Sequence, residues 1–377
     1  MTVDVINFGC RLNLAEGEAI RREWSSEDAI IINSCAVTAE AERQARQAVR
    51  RAARSGKRVF ATGCAVRLDP DKWGGIADVL PMRRDPRPAV SGAHHARAFV
   101  EVQNGCDHAC TFCITRIARG PSRSLAPDAI VAAIRQVVEN GQHEVILTGV
   151  DLTSYDGGLA SLVTRILNEV PALPRLRLSS LDPAEVDAPL FRLLTDEPRL
   201  MPHVHFSLQS GDNIILKRMK RRHSRAQAID LVARLKTARP EIAIGADLIA
   251  GFPTETEAMF ANSRAIIDEC DIVFGHIFPY SPRPGTAAAR MPQISPAIAK
   301  ARAADLRAAS SARKSAWLHA QVGTTARVLV ERSSTSGHGE NFAQVMLPPC
   351  VTGSIQSVRI TGVTGETLTA ELLAVAA

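Results

Sequence analysis

Cys106, Cys110 and Cys113 fall within eight residues, in NGCDHACTFC. Three thiolates on one tight loop can hold three irons of a cubane iron–sulfur cluster, which leaves the fourth iron open to a small ligand. Zinc is the alternative for such a loop. It needs four ligands, and the nearest other donor, His108, sits inside the loop rather than at a paired knuckle. A further trio, earlier in the chain, is Cys10, Cys35 and Cys64, separated by 25 and 29 residues and matching no pairwise spacing motif. It can be read as a second ligand set or as three separate buried thiols. Cys270 and Cys350 complete the eight cysteines and have no partner in the pattern. In a reducing compartment, eight cysteines in structured spacing read as metal ligands or catalysts before disulfides.

The elements around these residues decide whether the trios can form. Apolar runs at 2–8, 28–34 and 57–63 alternate with helical patterns at 13–24 and near 38–54, which predicts a parallel α/β sheet over 1–80. Cys10, Cys35 and Cys64 follow the three strands. The carboxyl ends of parallel strands share one edge, where ligand sites gather, so the three thiols can converge. Residues 81–97, rich in Pro, Arg and small side chains, read as a linker. From 98 to 320, strands at 98–103, 143–149, 175–180, 203–208, 242–252 and 271–278 alternate with helices. The helices are placed at 127–140, 158–169, 185–195, 224–238, 255–269 and 296–320. This predicts a partial (β/α)6 barrel, with its chemistry at the carboxyl ends of the strands. The first such end carries the cysteine loop. Residues 321–377 change to alternating, turn-punctuated strands, at 324–332, 341–348, 353–363 and 366–373, and predict a small antiparallel β-barrel.

The loop at 106–113, with Phe112 before its last cysteine, resembles the radical S-adenosylmethionine (SAM) superfamily. FGCRLN, NSCAVT and ATGCAV, around Cys10, Cys35 and Cys64, are similar to the three cysteine motifs of the methylthiotransferases. HFSLQSGDNIILKRMKRR, DLIAGFPTET, FPYSPRPGTAAARM and RLSSLDP extend the resemblance, with Asp182 where the family usually has Glu. The C-terminal segment is similar to a TRAM domain, a substrate- or RNA-binding appendage. The resemblance implies two 4Fe–4S clusters, one per cysteine trio, with SAM on the open iron of the cluster held by Cys106, Cys110 and Cys113. It implies one SAM consumed in methylating sulfur and one in radical formation, and an electron donor of the flavodoxin or ferredoxin kind. NSCAVTAEAERQARQ is most like the group acting on N6-threonylcarbamoyladenosine, which lies 3′ of the tRNA anticodon. Relatives acting on isopentenyladenosine in tRNA, or on an aspartate of a ribosomal protein, are the alternatives within the family. A metal-stabilised RNA-binding module without catalysis is the alternative outside it.

The resemblance and the strand ends nominate further residues. Gly149, Asp151, Gln209 and Asp247 follow or end strands and are candidates for the SAM pocket, together with Phe112. The formal net charge of +6 suits a polyanionic partner. Lys217, Arg218, Arg221 and Arg222 after the fourth barrel strand, and Arg283 after the sixth, are candidate phosphate contacts. Each can equally be a solvated face. With 46% apolar residues, disorder is excluded as the chain's ground state. No apolar run is long enough to span a bilayer and the first residues lack a signal-peptide pattern, so a cytoplasmic location is expected.

Overall fold

The computed structural model describes residues 3–92, 96–331 and 333–373. Residue 2 of the 2–8 run, residues 93–95 of the expected linker, and residues 332 and 374–377 of the expected C-terminal barrel lie outside the described residues.

The N-terminal unit is a parallel sheet in the order β1-β2-β3-β4, formed by β1 (Asp4–Asn7), β2 (Ala29–Ser34), β3 (Arg58–Gly63) and β4 (Asp78–Val79). Helix α1 (Arg11–Glu23) begins two residues earlier than its apolar pattern. Helix α2 (Ala39–Ala52) is started by Thr38, whose hydroxyl accepts the Ala41 amide at 3.1 Å. The short α3 (Cys64–Leu68) starts directly at the end of β3, and α4 (Pro70–Gly74) follows a capping Asp69.

The central unit has six parallel strands: β5 (Arg97–Glu101), β8 (Glu144–Thr148), β9 (Arg175–Leu178), β10 (His203–Gln209), β11 (Ala243–Ala250) and β12 (Ile272–Pro279). They form two three-stranded ladders. The ladders meet where Leu181 bridges to His205 and Ser207, at 2.8 and 2.9 Å. Outside pack α6 (Pro127–Glu139), α7 (Leu159–Glu169), α8 (Ala188–Asp196), α10 (Arg225–Ala238), α11 (Glu257–Glu269) and α12 (Pro296–His319). Their apolar stripes share one continuous core with the outward-facing residues of the strands, such as Ala98, Val145, Leu147 and Ile244. The expected partial barrel is therefore present. Several small elements had no sequence signal: the ribbon β6 (Gln103–Asn104) with β7 (Arg123–Ser124), α5 (Thr115–Arg119) and α9 (Asn213–Met219).

The C-terminal unit is a closed barrel in the order β13-β14-β15-β17-β16. Its strands are β13 (Thr325–Val330), β14 (Ser336–His338), β15 (Gln344–Met346), β16 (Ile355–Thr364) and β17 (Thr367–Leu372). Two corrections apply here. The strand expected at 341–348 shrinks to three residues, and the barrel is not wholly antiparallel, because β15 pairs with β17 in parallel to close it. Among the described residues, no helix is long and apolar enough to cross a membrane.

The three units enclose the barrel interior. The N-terminal unit spans the seam between the edge strands: Arg22 donates to Val90 O at 2.7 Å beside β5, and Arg283, after β12, pairs with Glu42 at 2.5 Å. The C-terminal barrel plugs the amino-terminal mouth. Arg175 and Arg177, on β9, donate to Arg327 O and Glu340 O at 2.8 Å, and His143 bonds Gly353 O at 2.7 Å.

Candidate active site

Both cysteine trios sit at carboxyl ends of parallel strands. Cys10 follows β1, Cys35 follows β2 and Cys64 follows β3. Their convergence depends on the residues before them. Gly9 has φ +100°, and a Cβ there would stand 2.8 Å from Cys35 Sγ. Gly105, before Cys106, has φ +74°, and a Cβ there would meet Pro121 O at 1.9 Å. A side chain at either position would push a cysteine loop open. Asn13 ties the first two loops together, donating to Phe8 O at 2.8 Å and Ser34 O at 3.0 Å.

In the second trio, Thr111 fixes the loop, its amide bonding Met219 O at 3.1 Å and its hydroxyl Arg218 O at 2.8 Å. Arg221 lies 3.7 Å from Cys110 Sγ, donates to Ser207 O at 2.7 Å and pairs with Asp182 at 3.1 Å. Asp182, shorter than the usual Glu, is thus engaged by Arg221. Phe112 stands edge-on to Phe252, with centroids 6.5 Å apart, and packs the loop onto the barrel.

The thiols suit metal ligation rather than free reactivity. Burial pushes the Cys64 and Cys106 thiols up to about 12, and raises Cys35 and Cys110 from their ordinary values. Protonated and neutral in the bare protein, they ionise when a cation replaces the proton. Groups with three donor atoms within 4.8 Å of one another are Cys106–His108–Asp151 and His205–Asp247–His276, and neither cysteine trio is among them. In each trio at least one Sγ–Sγ separation therefore exceeds 4.8 Å, wider than the ligand set of a single ion.

One side chain joins the two trios. Arg119, on the helix after Cys113, is fully buried and binds Glu16 at 2.8 and 2.9 Å, Asn13 at 2.6 Å and Asn104 at 2.9 Å. Nothing in the sequence marked it. Asn13 Oδ1 in turn lies 3.7 Å from Cys10 Sγ.

The other nominated residues divide. Asp151 is held by Ser154 at 2.7 Å and Thr153 at 3.1 Å, with Cys106 Sγ at 3.7 Å and His108 at 3.4 Å. Gly149 lies flat against Gln103, whose side chain accepts the Val150 and Asp151 amides at 3.0 and 2.8 Å. Gln209 ends β10 at φ +67°, half-buried and beyond a register shift. Asp247 is mid-strand, not at a strand end. It faces the lumen and accepts from His205 at 3.1 Å, with His276 at 3.5 Å. Burial opposes its charge, but the two imidazoles hold its carboxyl well below the usual range.

Of the candidate phosphate contacts, Lys217 and Arg222 are exposed, although Arg222 pairs with Glu185. Arg218 turns onto Thr254, at 2.7 Å. Arg221 and Arg283 are buried in the ion pairs given above. These three charges are spent inside the fold, because their carboxylate or carbonyl partners lie far away in sequence.

The lumen below the trios is charged. Its deepest layer holds Arg97, Glu144, Arg175 and Arg177, with Glu144 3.0 Å from Arg177 and 3.3 Å from Arg97. Phe342, from the C-terminal barrel, forms its floor. The ring stacks on His203 at 4.9 Å and lies beneath the guanidinium groups of Arg97 and Arg177, at 5.3 and 5.1 Å.

Two family models match the chain: the radical SAM superfamily over residues 100–265, and an uncharacterized protein family, UPF0004, over residues 2–79. The chain is similar to the threonylcarbamoyladenosine tRNA methylthiotransferase MtaB of Rickettsia prowazekii, 42% identical over 91% of each chain. It is 32% identical to a tRNA-2-methylthio-N(6)-dimethylallyladenosine synthase of Anaeromyxobacter, over 88% of this chain and 84% of that one. Among solved structures, the radical SAM methyltransferase TsrM of Kitasatospora setae superposes with a TM-score of 0.53 at 15% identity. That match covers 68% of this chain and 64% of the other, and it is a likeness of fold.

Proposed function

The chain belongs to the radical SAM methylthiotransferases, and from that membership we propose that it adds a methylthio group to C2 of N6-threonylcarbamoyladenosine, 3′ of the anticodon in tRNA. The observation that carries this reading is the pair of cysteine trios joined through Arg119 across the seam of the barrel. The proposal includes 4Fe–4S clusters on Cys10, Cys35, Cys64 and on Cys106, Cys110, Cys113, two SAM per product, a flavodoxin- or ferredoxin-like reductant and a cytoplasmic site of action. When bound, these groups supply radical chemistry at one trio and sulfur at the other.

The chain's own residues position and shield. Arg119 fixes the distance between the two cysteine edges. Arg221 places a positive charge beside Cys110 while braced by Asp182. Ser154, Thr153 and His108 orient the Asp151 carboxylate beside Cys106. Gly149, Gln209 and Phe112 complete the proposed SAM pocket around that loop. The contacts Arg283–Glu42 and Arg22–Val90 hold the N-terminal unit against the edge strands of the barrel. Lys217 and Arg222, on the exposed rim, are the proposed phosphate contacts.

The test is nucleoside mass analysis of tRNA from a deletion strain, alongside iron and sulfide content after anaerobic reconstitution. Loss of 2-methylthio-N6-threonylcarbamoyladenosine, and a brown protein with two clusters, are expected. Persistence of that nucleoside with no other enzyme to make it refutes the substrate. A colourless protein that binds only zinc refutes the chemistry.

A further inference from the structure

Barrels of this kind usually fill their interior with branched apolar side chains. Here the interior beneath the cysteine trios is polar. His205, Asp247 and His276 line one wall, and Phe342 closes the floor. Across from them, Arg11 enters the lumen from the N-terminal unit, one residue after Cys10. Its guanidinium is half-buried, 5.9 Å from the ring centroid of Phe342 and 6.0 Å from that of Phe99. Among the described residues it makes no hydrogen bond and no ion pair.

That isolation is specific to Arg11. Its like-charged neighbours Arg97 and Arg177 both have Glu144 within 3.3 Å, and Arg97 also has Glu331. The charges facing Arg11 are those two arginines and, at longer range, Asp247 and Glu144. Asp247 is already occupied by two imidazoles. A half-buried guanidinium held between aromatic rings, with every nearby carboxylate committed elsewhere, is a prepared receptor for an external carboxylate.

Resting on the substrate proposed above, we infer that Arg11 is the specificity residue that pairs with the carboxylate of the threonylcarbamoyl arm. That arm hangs from N6 of the adenine and ends in a carboxylate and a hydroxyl. An isopentenyl arm is hydrocarbon and offers Arg11 nothing, while leaving the polar wall of the lumen unpaired. The neighbouring position of Cys10 gives the contact a second consequence: an arm anchored at Arg11 fixes the base relative to the sulfur-bearing edge.

The test is a binding comparison with the full chain. Anticodon stem-loop RNAs carry N6-threonylcarbamoyladenosine, its neutral threonine carboxamide, or plain adenosine. They are titrated by fluorescence anisotropy against wild type, Arg11→Gln and Arg11→Lys. Wild type is expected to prefer the carboxylate over the carboxamide by about 10- to 100-fold, the worth of one charge-assisted contact. Arg11→Gln is expected to bind the two alike, and Arg11→Lys to keep part of the preference. Equal binding of both RNAs by wild type overturns the inference and needs no variant to fold. So does an undiminished preference in Arg11→Gln. If wild type also binds plain adenosine as tightly and transfers no methylthio group to the threonylcarbamoyl RNA, the substrate reading itself falls. Transfer to that RNA without carboxylate preference removes the role of Arg11 alone.

Discussion

Replacing Arg119 by Met should cost more than any other single change at the domain interface. The guanidinium makes four hydrogen bonds, two to Glu16 and one each to Asn13 and Asn104. Both charged side chains are at most 4% exposed. Burial disfavours the charge of Arg119, yet the surrounding acidic group raises its pKa well above the ordinary value, so it stays charged at any working pH. Removing it strands the Glu16 carboxylate in the interior. Breaking a buried pair in this way costs about 3–5 kcal/mol, because the partner keeps its desolvation penalty without its attraction. At 2–4 °C per kcal/mol for units of this size, the thermal midpoint should fall by roughly 6–20 °C. Differential scanning fluorimetry of the bare protein reads this without any cluster. Arg119→Met combined with Glu16→Met should recover part of the loss, because an apolar pair carries no buried charge. The coupling should be at least about 1.5 kcal/mol. Strictly additive losses, or a cost below about 1 kcal/mol for Arg119→Met, would refute the view that this contact holds the trios together.

Three further outcomes are expected. Cys35→Ala should still cleave SAM but form no methylthio product, whereas Cys106→Ala should do neither. Chromatographic assay of 5′-deoxyadenosine and of the modified nucleoside separates them, and full product from Cys35→Ala removes the first trio's role. Acid should loosen the C-terminal barrel: burial alone would raise the Glu331 carboxyl, but His338, at 3.0 Å, and Arg97 hold it below its ordinary 4.5. A carboxyl lowered in the folded state stabilises above its unfolded value and loses that contribution as pH falls through the lowered one. Hydrogen exchange at 339–343 should therefore accelerate below about pH 4.5, and Glu331→Gln should flatten the dependence; an unchanged profile in that variant counts against the contact. Gly245→Ala would place a Cβ 2.4 Å from His205 Nδ1, so it should displace that ring and cost about 1–3 kcal/mol in urea unfolding. An unaltered midpoint would mean the lumen wall is looser than it looks.

The two cysteine trios were legible because they depend on short-range signals. Strand ends are marked by the change from apolar runs to Gly, Cys or polar residues, and a parallel sheet gathers those ends without further information. What escaped notice depends on partners distant in sequence. Arg283 reads as a surface cation until Glu42, 241 residues away, is placed against it. Arg119 reads as an ordinary helical arginine until the helix is docked on α1. Strand β14, SGH, contains no β-former. It pairs because Gly337 lets the chain approach β13, where a Cβ would meet Leu329 O at 2.0 Å. Phe342 gave no sign of its role. Only its φ of +70°, uncommon for an aromatic residue, singles it out once the backbone is known.

The placement of the C-terminal barrel changes how its low charge is understood. Its arginines Arg327, Arg332 and Arg359 are balanced by Glu331, Glu340, Glu366 and Glu371, which leaves little net charge for an RNA-binding appendage. The structure puts several of its polar groups to another use. The Arg327, Gly339 and Glu340 carbonyls and the Glu331 carboxylate cap the arginine layer at the amino-terminal mouth of the barrel. Such a layer, with Arg97, Arg175 and Arg177 around one Glu144, carries excess positive charge and would draw water into an open mouth. Acceptors from the plug neutralise it, and Phe342 covers it with a ring. The lumen is thus covered from beneath by the C-terminal barrel, and under the proposed function a base would enter from the carboxyl ends of the strands. Exposed Lys217 follows the carboxyl end of β10, whereas Arg222, also exposed, already pairs with Glu185, so Lys217 is the freer of the two proposed phosphate contacts.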